Sequence, residues 1–529
     1  MKKYGITAIL AAAVIAVTGC TEDIMDDINK DNSKSLYAPA KAIVSELITS
    51  TAFSTVGGDF SLYASIYVEH ETGVHNQMFN AETRRGEPVA STTYNNVWAS
   101  TYTNIRNAKL AIAKCTEAGG LDEGNEVTLG VAKLLLAYNA AVLTDLFGDV
   151  PFTEAGEMKP DGTPKYMQPK IDRQEDIYQN VLQLLDEAIR CFDGTDNGLN
   201  GSLGANDYIY GRANLNAHLK GKTNALWKKA AYGLKARYTM RLLGRSADRT
   251  ADLQNILSWI NASFADADEE LKFDLYDGET NVNPLFGFSY SRDALGASRS
   301  LLKKFVERND PRASQYFGGW YSTIVMITDP AEVITAPNGN PEQAQFYYDL
   351  AIANYAATAP TQLLSYHELQ FLKAEALARL GGGNTALAKS ALKEAITAGF
   401  ANLQTAVASA LDRWAEGQVD LSADSAEHYF NTVVAARFDA DPLRETAIQK
   451  YLAFAGASGE SLEAYNDYRR WKSLNEPCIE LANPHNSDRF PQRFSYAIDE
   501  VTNNPAIREA YGNGQYVYTE PVWWAGGSR

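Results

Sequence analysis

Apolar residues recur every three or four positions along most of this chain, which is the spacing of one buried face of an α-helix. In one such segment Asp172 is placed to cap a helix, with Glu175 closing a capping box. The apolar face that follows consists of Ile177, Val181, Leu184, Ala188, Ile189 and Phe192. Ser365 and Glu368 repeat the capping pattern, and Gly381 is placed to end the helix that they begin.

The predicted helices come in neighbouring pairs without an exact internal repeat. They cover 124–147, 225–243, 251–264 and 386–398. Two helices cannot bury their apolar faces alone, so such pairs stack into an array. Between the pairs lie segments with little periodicity, near 55–95 and 273–359, where long insertions are usually functional or carry short strands. The pattern therefore predicts a mainly α scaffold with irregular insertions.

The amino terminus has the pattern of a secreted lipoprotein. Lys2 and Lys3 precede an apolar run over 8–17, and small residues lead to Cys20. Bacterial lipoprotein processing requires a cysteine at the cut, because its thiol takes the diacylglycerol. We expect a signal peptide over 1–19, a lipidated Cys20 with an acidic spacer over 20–35, and a single domain over 36–529. Acyl chains then anchor the protein to a membrane without a spanning helix.

Composition narrows the possible partners. The formal net charge of −17 argues against nucleic acid, because binding phosphates requires a positive surface. The 4 cysteines are too few and too widely spaced for a disulfide framework, since Cys20 is assigned to lipidation. The 29 Tyr and 8 Trp favour a surface that meets sugar rings, although large helical proteins also pack many tyrosines.

Several enzyme motifs are matched only in part. His70 and His75 are five residues apart, so they would not lie on one face of a helix, as the two histidines of a zinc protease motif must. The stretch 221–223 ends like a phosphate-binding loop, but Asn216 stands where its first glycine belongs. With 65 acidic residues, a glycosidase carboxylate pair has no specific support and is not excluded.

Several motifs, in order along the chain, resemble the SusD/RagB family of outer-membrane nutrient-binding lipoproteins. The segments that carry the resemblance are 98–107, 143–152, 235–238, 365–376, 465–470, 491–496 and 522–524. Among them, LTDLFGDVPF at 143–152 and SYHELQFLKAEA at 365–376 are the most specific. We interpret Asp145 and Gly148 as residues at a helix end. Glu375 and Arg470 are interpreted as members of buried polar pairs.

The resemblance implies tetratricopeptide-like helix pairs with an irregular ligand-binding portion. Family members capture oligosaccharides, or peptides in some branches, and deliver them to a SusC-like TonB-dependent transporter. They are not enzymes and need no cofactor as a rule, although some bind calcium. Acidic residues after the lipidated cysteine resemble a signal for export to the cell surface in Bacteroidetes. The remaining alternatives are a surface glycoside hydrolase and a peptide-binding member of the family.

Ligand contacts in the family come from the two irregular insertions, which carry no motif residues. Sugar capture needs flat aromatic faces with polar groups beside them. The candidates are Asn76, Phe79, Tyr94 and Asn95 in the first insertion and Tyr290, Arg292, Tyr316, Trp320 and Tyr321 in the second. Trp320 is the leading candidate, because Gly318 and Gly319 let a loop expose its ring. The alternative is that Trp320 belongs to the core.

Overall fold

Most of the chain folds into helices, as the apolar spacing predicts. The computed structural model describes residues 38–85, 92–456, 458–511 and 516–529, so Cys20 and the predicted signal peptide lie outside the described residues. The helices are α1 (Ala40–Ser50), α2 (Asp59–Tyr67), α3 (Asn76–Glu82), α4 (Asn95–Thr116), α5 (Glu126–Phe147), α6 (Gln174–Cys191), α7 (Thr223–Arg241), α8 (Arg249–Asn261), α9 (Pro284–Arg292), α10 (Arg299–Val306), α11 (Tyr366–Leu380), α12 (Thr385–Arg413), α13 (Ala423–Tyr429), α14 (Ala435–Ala440), α15 (Pro442–Ala453), α16 (Ser461–Ser473), α17 (Asn486–Arg489), α18 (Ile498–Asn503), α19 (Pro505–Tyr511) and α20 (Tyr516–Thr519).

The strands are short. They are β1 (Glu71–Gly73), β2 (Val150–Pro151), β3 (Ile171–Asp172), β4 (Leu271–Phe273), β5 (Leu295–Ala297), β6 (Phe317–Trp320), β7 (Ile324–Met326), β8 (Leu350–Ala351), β9 (Thr361–Leu364) and β10 (Ala415–Glu416). Several of them lie in the second insertion, where the sequence shows little helical periodicity. The predicted mainly α fold, with tetratricopeptide-like helix pairs, long insertions and few short strands, is confirmed.

The long helices form a linear array in which each packs on the next. From α4 the contacts run through α5, α6, α7, α8, α11 and α12 to α15. Helix α5 is apolar on nearly all sides because it lies inside this array. It is long and apolar enough to cross a membrane, but 89% of its most hydrophobic window is buried inside the protein.

The predicted caps are partly confirmed. Ser365 Oγ accepts a hydrogen bond from the Glu368 N–H at 3.2 Å, and Gly381, with φ +62°, ends α11. The prediction for Asp172 was wrong. Its carboxylate accepts hydrogen bonds from the N–H groups of Phe152 and Thr153 instead, because Asp172 lies in β3 against β2.

Buried ion pairs connect the array, and they confirm the interpretation of the motif residues. Arg470 of α16 makes a two-bond pair with Glu375 of α11, with both N–O distances at 2.7 Å. Arg237 of α7 pairs with Glu368 in the same manner. Burial by itself would raise the pKa of Glu375, but Arg470 and Arg379 lower it below its ordinary value. Each pair therefore connects helices that are distant in sequence.

The two insertions meet through a strand pair. Strand β1 lies antiparallel to β5, with Thr72 opposite Gly296. A Cβ at Gly296 would approach side-chain atoms of Val74 and Tyr348 to 3.0 and 3.1 Å, so this crowded position favours glycine. A four-stranded sheet in the order β10-β7-β6-β8 joins three strands of the second insertion to β10, which contacts α12.

Candidate ligand-binding site

The pairing of β1 with β5 builds a small pocket between the two insertions. After β1 the chain passes through His75 into α3, and before β5 helix α9 ends at Arg292. The pocket between them, of about 90 Å³, is called the polar pocket here. It is lined by His75, Asn76, Gln77, Phe288, Ser291, Arg292, Ala294 and Gln345. Its lining combines three side-chain amides with one guanidinium.

A continuous row of aromatic rings adjoins this pocket, and two of the rings, Phe286 and Tyr290, lie on α9. This aromatic ridge consists of Trp414, Tyr290, Phe286, Tyr355, Trp320 and Phe346. The centroid distances between successive rings are 5.0, 5.5, 6.5, 5.4 and 6.0 Å. These separations lie within the range in which aromatic pairs stabilise one another, so the ridge is a connected structure.

The ridge has a buried base and an exposed crest. Phe286 and Tyr355 belong to the core, whereas Tyr290 is 59% exposed and Phe346 is 67% exposed. Trp320 and Trp414 are half-buried and pack against the core. Large rings left exposed over a shared buried base present a surface for binding. Flat rings of this kind cover the C–H faces of a sugar.

The exposed ring of Phe346 is held in place by the end of α9. Asp293 Oδ2 accepts a hydrogen bond from the Phe346 N–H at 2.5 Å, and Gln345 Nε2 donates to the Arg292 carbonyl at 2.7 Å. Phe346 has φ +56° and Asp293 has φ +42°, a backbone region that is unfavourable for a bulky residue such as phenylalanine. The surrounding contacts therefore maintain a conformation that phenylalanine does not prefer.

Two carboxyl groups beneath the site have shifted pKa values. Burial raises the pKa of Asp293 above its ordinary value, and the hydrogen bond from the Phe346 N–H opposes that rise. Burial raises the pKa of Glu71 in β1 to about 8, with a smaller opposing effect from the Asn354 amide. Neither carboxyl lines the polar pocket.

Some of the predicted site residues are brought together by the structure. Asn76 and Arg292 line the polar pocket, and Tyr290 and Trp320 belong to the aromatic ridge. Tyr321, which follows Trp320 directly, is 74% exposed. Trp320 thus packs against the core on one side and faces the ridge on the other.

Other predicted residues lie elsewhere, which corrects the proposed set. Tyr316 and Tyr94 are buried, so neither ring has a face available to a ligand. Tyr94 stacks on Phe494 in the core. Asn95 begins α4 and accepts a hydrogen bond from the Asp499 N–H, and Phe79 is half-buried beside the Arg85 guanidinium. Neither Asn95 nor Phe79 lines the polar pocket.

Four ridge residues were missed by sequence reasoning. Phe286, Phe346 and Tyr355 lie in the second insertion, and the run of three aromatics at 346–348 was an available signal. Trp414 follows α12, far from both insertions in the chain, and no sequence signal links it to them.

The described part of the chain contains no group of three or more His, Cys, Asp or Glu side chains arranged to hold a metal ion. His70 bonds through Nδ1 to Ser461 and through Nε2 to the Tyr451 carbonyl. Both ring nitrogens of His70 therefore have partners within the protein.

The family model and the solved structures that resemble this chain point to the same family. Residues 37–497 match the SusD-like family model described as "Starch-binding associating with outer membrane". A SusD/RagB family protein from Bacteroides thetaiotaomicron is 44% identical, with a TM-score of 0.85 over 93% of this chain and 100% of that one. Among curated proteins there is no match.

More distant structures share the fold. A chitin-binding protein is 20% identical, with a TM-score of 0.65 over 90% of this chain and 99% of that one. A SusD homologue from Bacteroides fragilis is 17% identical, with a TM-score of 0.65 over 92% of this chain and 100% of that one.

Proposed function

Because this chain belongs to the SusD-like family, whose description is starch binding in association with the outer membrane, we propose that it captures oligosaccharides on the aromatic ridge. In this proposal the protein is not an enzyme. It is anchored by lipid at Cys20, faces the cell exterior and passes its ligand to a SusC-like TonB-dependent transporter. The anchoring and the transfer rest on the family resemblance and on the amino-terminal sequence.

The observation that carries the proposal is the exposed crest of the aromatic ridge beside the polar pocket. The exposed rings of Tyr290 and Phe346 offer flat faces to sugar units, and the amide groups of the polar pocket can bond sugar hydroxyls. A site for one small apolar ligand would instead enclose it within a deep cavity. The open ridge therefore favours an extended ligand with both ring faces and hydroxyl groups.

Calorimetric titration of the chain beginning after Cys20, against a panel of oligosaccharides and peptides, tests the proposal. Each mixture is then examined for cleavage products. We expect binding of oligosaccharides without cleavage. Cleavage would identify a glycoside hydrolase, and binding confined to peptides would identify a peptide-binding member of the family; either result refutes the proposal.

A substitution at Trp320 localises the binding. We expect Trp320→Ala to weaken oligosaccharide binding by about 1–3 kcal/mol, the effect of removing one important aromatic contact. The matched control is Trp259→Ala, which removes a half-buried tryptophan from α8, outside the ridge. Equal affinity of the wild type and Trp320→Ala, or unfolding of the Trp320 variant at the assay temperature, would contradict the prediction.

A further inference from the structure

The polar pocket contains a cation, Arg292, that has no partner among the residues that the structure describes. The Arg292 side chain makes no hydrogen bond or ion pair with another described residue, although its backbone carbonyl accepts a bond from Gln345. The buried arginines of the scaffold differ: Arg237, Arg312 and Arg470 each hold a carboxylate. Arg292 is therefore available to a ligand that enters the pocket.

The groups around Arg292 are suited to an anion. His75 Nδ1 is buried without a hydrogen-bond partner among the described residues. The amides of Asn76 and Gln77 add neutral donors. Among the described residues no carboxylate lines the pocket, in a chain whose formal net charge is −17.

Two carboxylates lie near the pocket without forming an ion pair with Arg292. Asp59, the first residue of α2, has its pKa raised by burial and lowered by Arg292, which places the two groups within electrostatic range. Asp293 accepts a hydrogen bond from the Phe346 N–H, and the His75 side chain lies within its electrostatic range. Neither carboxylate occupies the hydrogen-bonding positions of the guanidinium, so a ligand oxyanion can take them.

We infer that the polar pocket selects oligosaccharides that carry an anionic substituent, a carboxylate or a sulfate ester, and that Arg292 binds this group. The inference rests on the proposed function, because it assumes that the sugar chain lies along the aromatic ridge. A planar guanidinium presents two parallel N–H donors to an oxyanion, a contact that neutral hydroxyls do not reproduce. Phe288 and Tyr290, on the same helix, lie beside the sugar ring that bears this group.

Matched pairs of ligands test the inference. The probes are galacturonate oligomers with galactose oligomers of equal length, and sulfated galactan oligomers with their desulfated forms. We expect the wild type to bind at least one anionic probe at least tenfold more tightly than its neutral counterpart. The two pairs distinguish a carboxylate from a sulfate ester as the recognised group.

Substitution of Arg292 provides the second measurement. Arg292→Gln should weaken the binding of the anionic probe by about 10- to 100-fold and change the binding of the neutral probe by less than about twofold. Arg292→Lys should recover part of the affinity, since it keeps the charge and loses the paired donors. The matched control is Arg190→Gln, because Arg190, like Arg292, is exposed and lacks a partner among the described residues, but it lies on α6 and does not line the polar pocket.

Each outcome supports or overturns the inference. The inference is overturned if the wild type binds the anionic and the neutral probe of both pairs equally well. It is also overturned if Arg292→Gln binds the anionic probes with unchanged affinity. An equal loss in Arg190→Gln overturns it as well, since the effect would then be one of overall charge. If the neutral probes bind as tightly as the anionic ones and Trp320→Ala weakens their binding, the proposed function survives and only the anion preference is refuted. If none of the oligosaccharides binds, both are refuted.

Discussion

The hydrogen bond from the Phe346 N–H to Asp293 is expected to hold the segment around Phe346 against the end of α9. Asp293→Gly removes the acceptor, and Asp293→Asn is the matched control because it keeps an acceptor oxygen. Both glycine and asparagine accept the φ of +42° at this position better than other residues do. The comparison therefore isolates the hydrogen bond from the backbone conformation of residue 293.

The structure sets the size of the effect. A hydrogen bond to a carboxylate contributes about 1.5–3 kcal/mol. The left-handed conformation of Phe346 costs about 1–2 kcal/mol in the wild type and in both variants, so this strain cancels from the comparison. Loss of the bond should therefore raise the population of the opened segment by about 10- to 100-fold, since 1.4 kcal/mol corresponds to a factor of ten.

Limited proteolysis with chymotrypsin measures this population without any ligand, because the enzyme cleaves after the aromatic residues at 346–348. When opening is fast relative to cleavage, the cleavage rate follows the population of the open state. We expect cleavage here to be about 10- to 100-fold faster in Asp293→Gly and intermediate between wild type and Asp293→Gly in Asp293→Asn, whose neutral oxygen accepts a weaker hydrogen bond. Equal rates in the wild type and Asp293→Gly would refute the reasoning.

Two further predictions concern stability. Glu71 has a folded-state pKa of about 8 that burial raises above the ordinary value, so its contribution to stability is present below the ordinary pKa and is lost as the pH rises towards about 8. Glu71→Gln should therefore flatten the pH dependence of the urea midpoint between about pH 5 and pH 9 and stabilise the protein at the upper end; an unchanged slope would count against this. Glu375→Gln should lower the free energy of unfolding by about 3–5 kcal/mol because it leaves Arg470 buried without its full partner. Glu187→Gln, at the more exposed pair with Lys133, should lower it by less than about 1 kcal/mol, and similar losses in the two variants would contradict the reasoning.

The helical scaffold could be predicted because its signals are local. The apolar spacing of α6 and the cap and stop of α11 are encoded within a few residues of each other. Asp172 shows the limit of this reasoning. Its position suits a helix cap, but its carboxylate accepts hydrogen bonds from the N–H groups of Phe152 and Thr153, which follow β2 about twenty residues earlier. A local pattern cannot show which of two nearby sets of donors a side chain will reach.

The site was predicted less completely than the scaffold. Both insertions were identified, and Trp320, Tyr290 and Arg292 were selected because their chemistry suits a sugar. Tyr316 and Tyr94 have the same chemistry, yet they lie in the core. Residue type does not reveal which face of a short strand or helix points outward, and the irregular segments lack the periodicity that would show it.

The sequence by itself determined the family, the mainly α array and the two irregular insertions that carry most of the candidate site, because these depend on local periodicity and ordered motifs. Only the tertiary structure decided which rings form the aromatic ridge. Trp414 joins it from the end of α12, and Arg292 meets His75 because β1 pairs with β5. These contacts join residues that are far apart in the chain. They arise from strand pairing and packing across the whole molecule, which no single segment encodes.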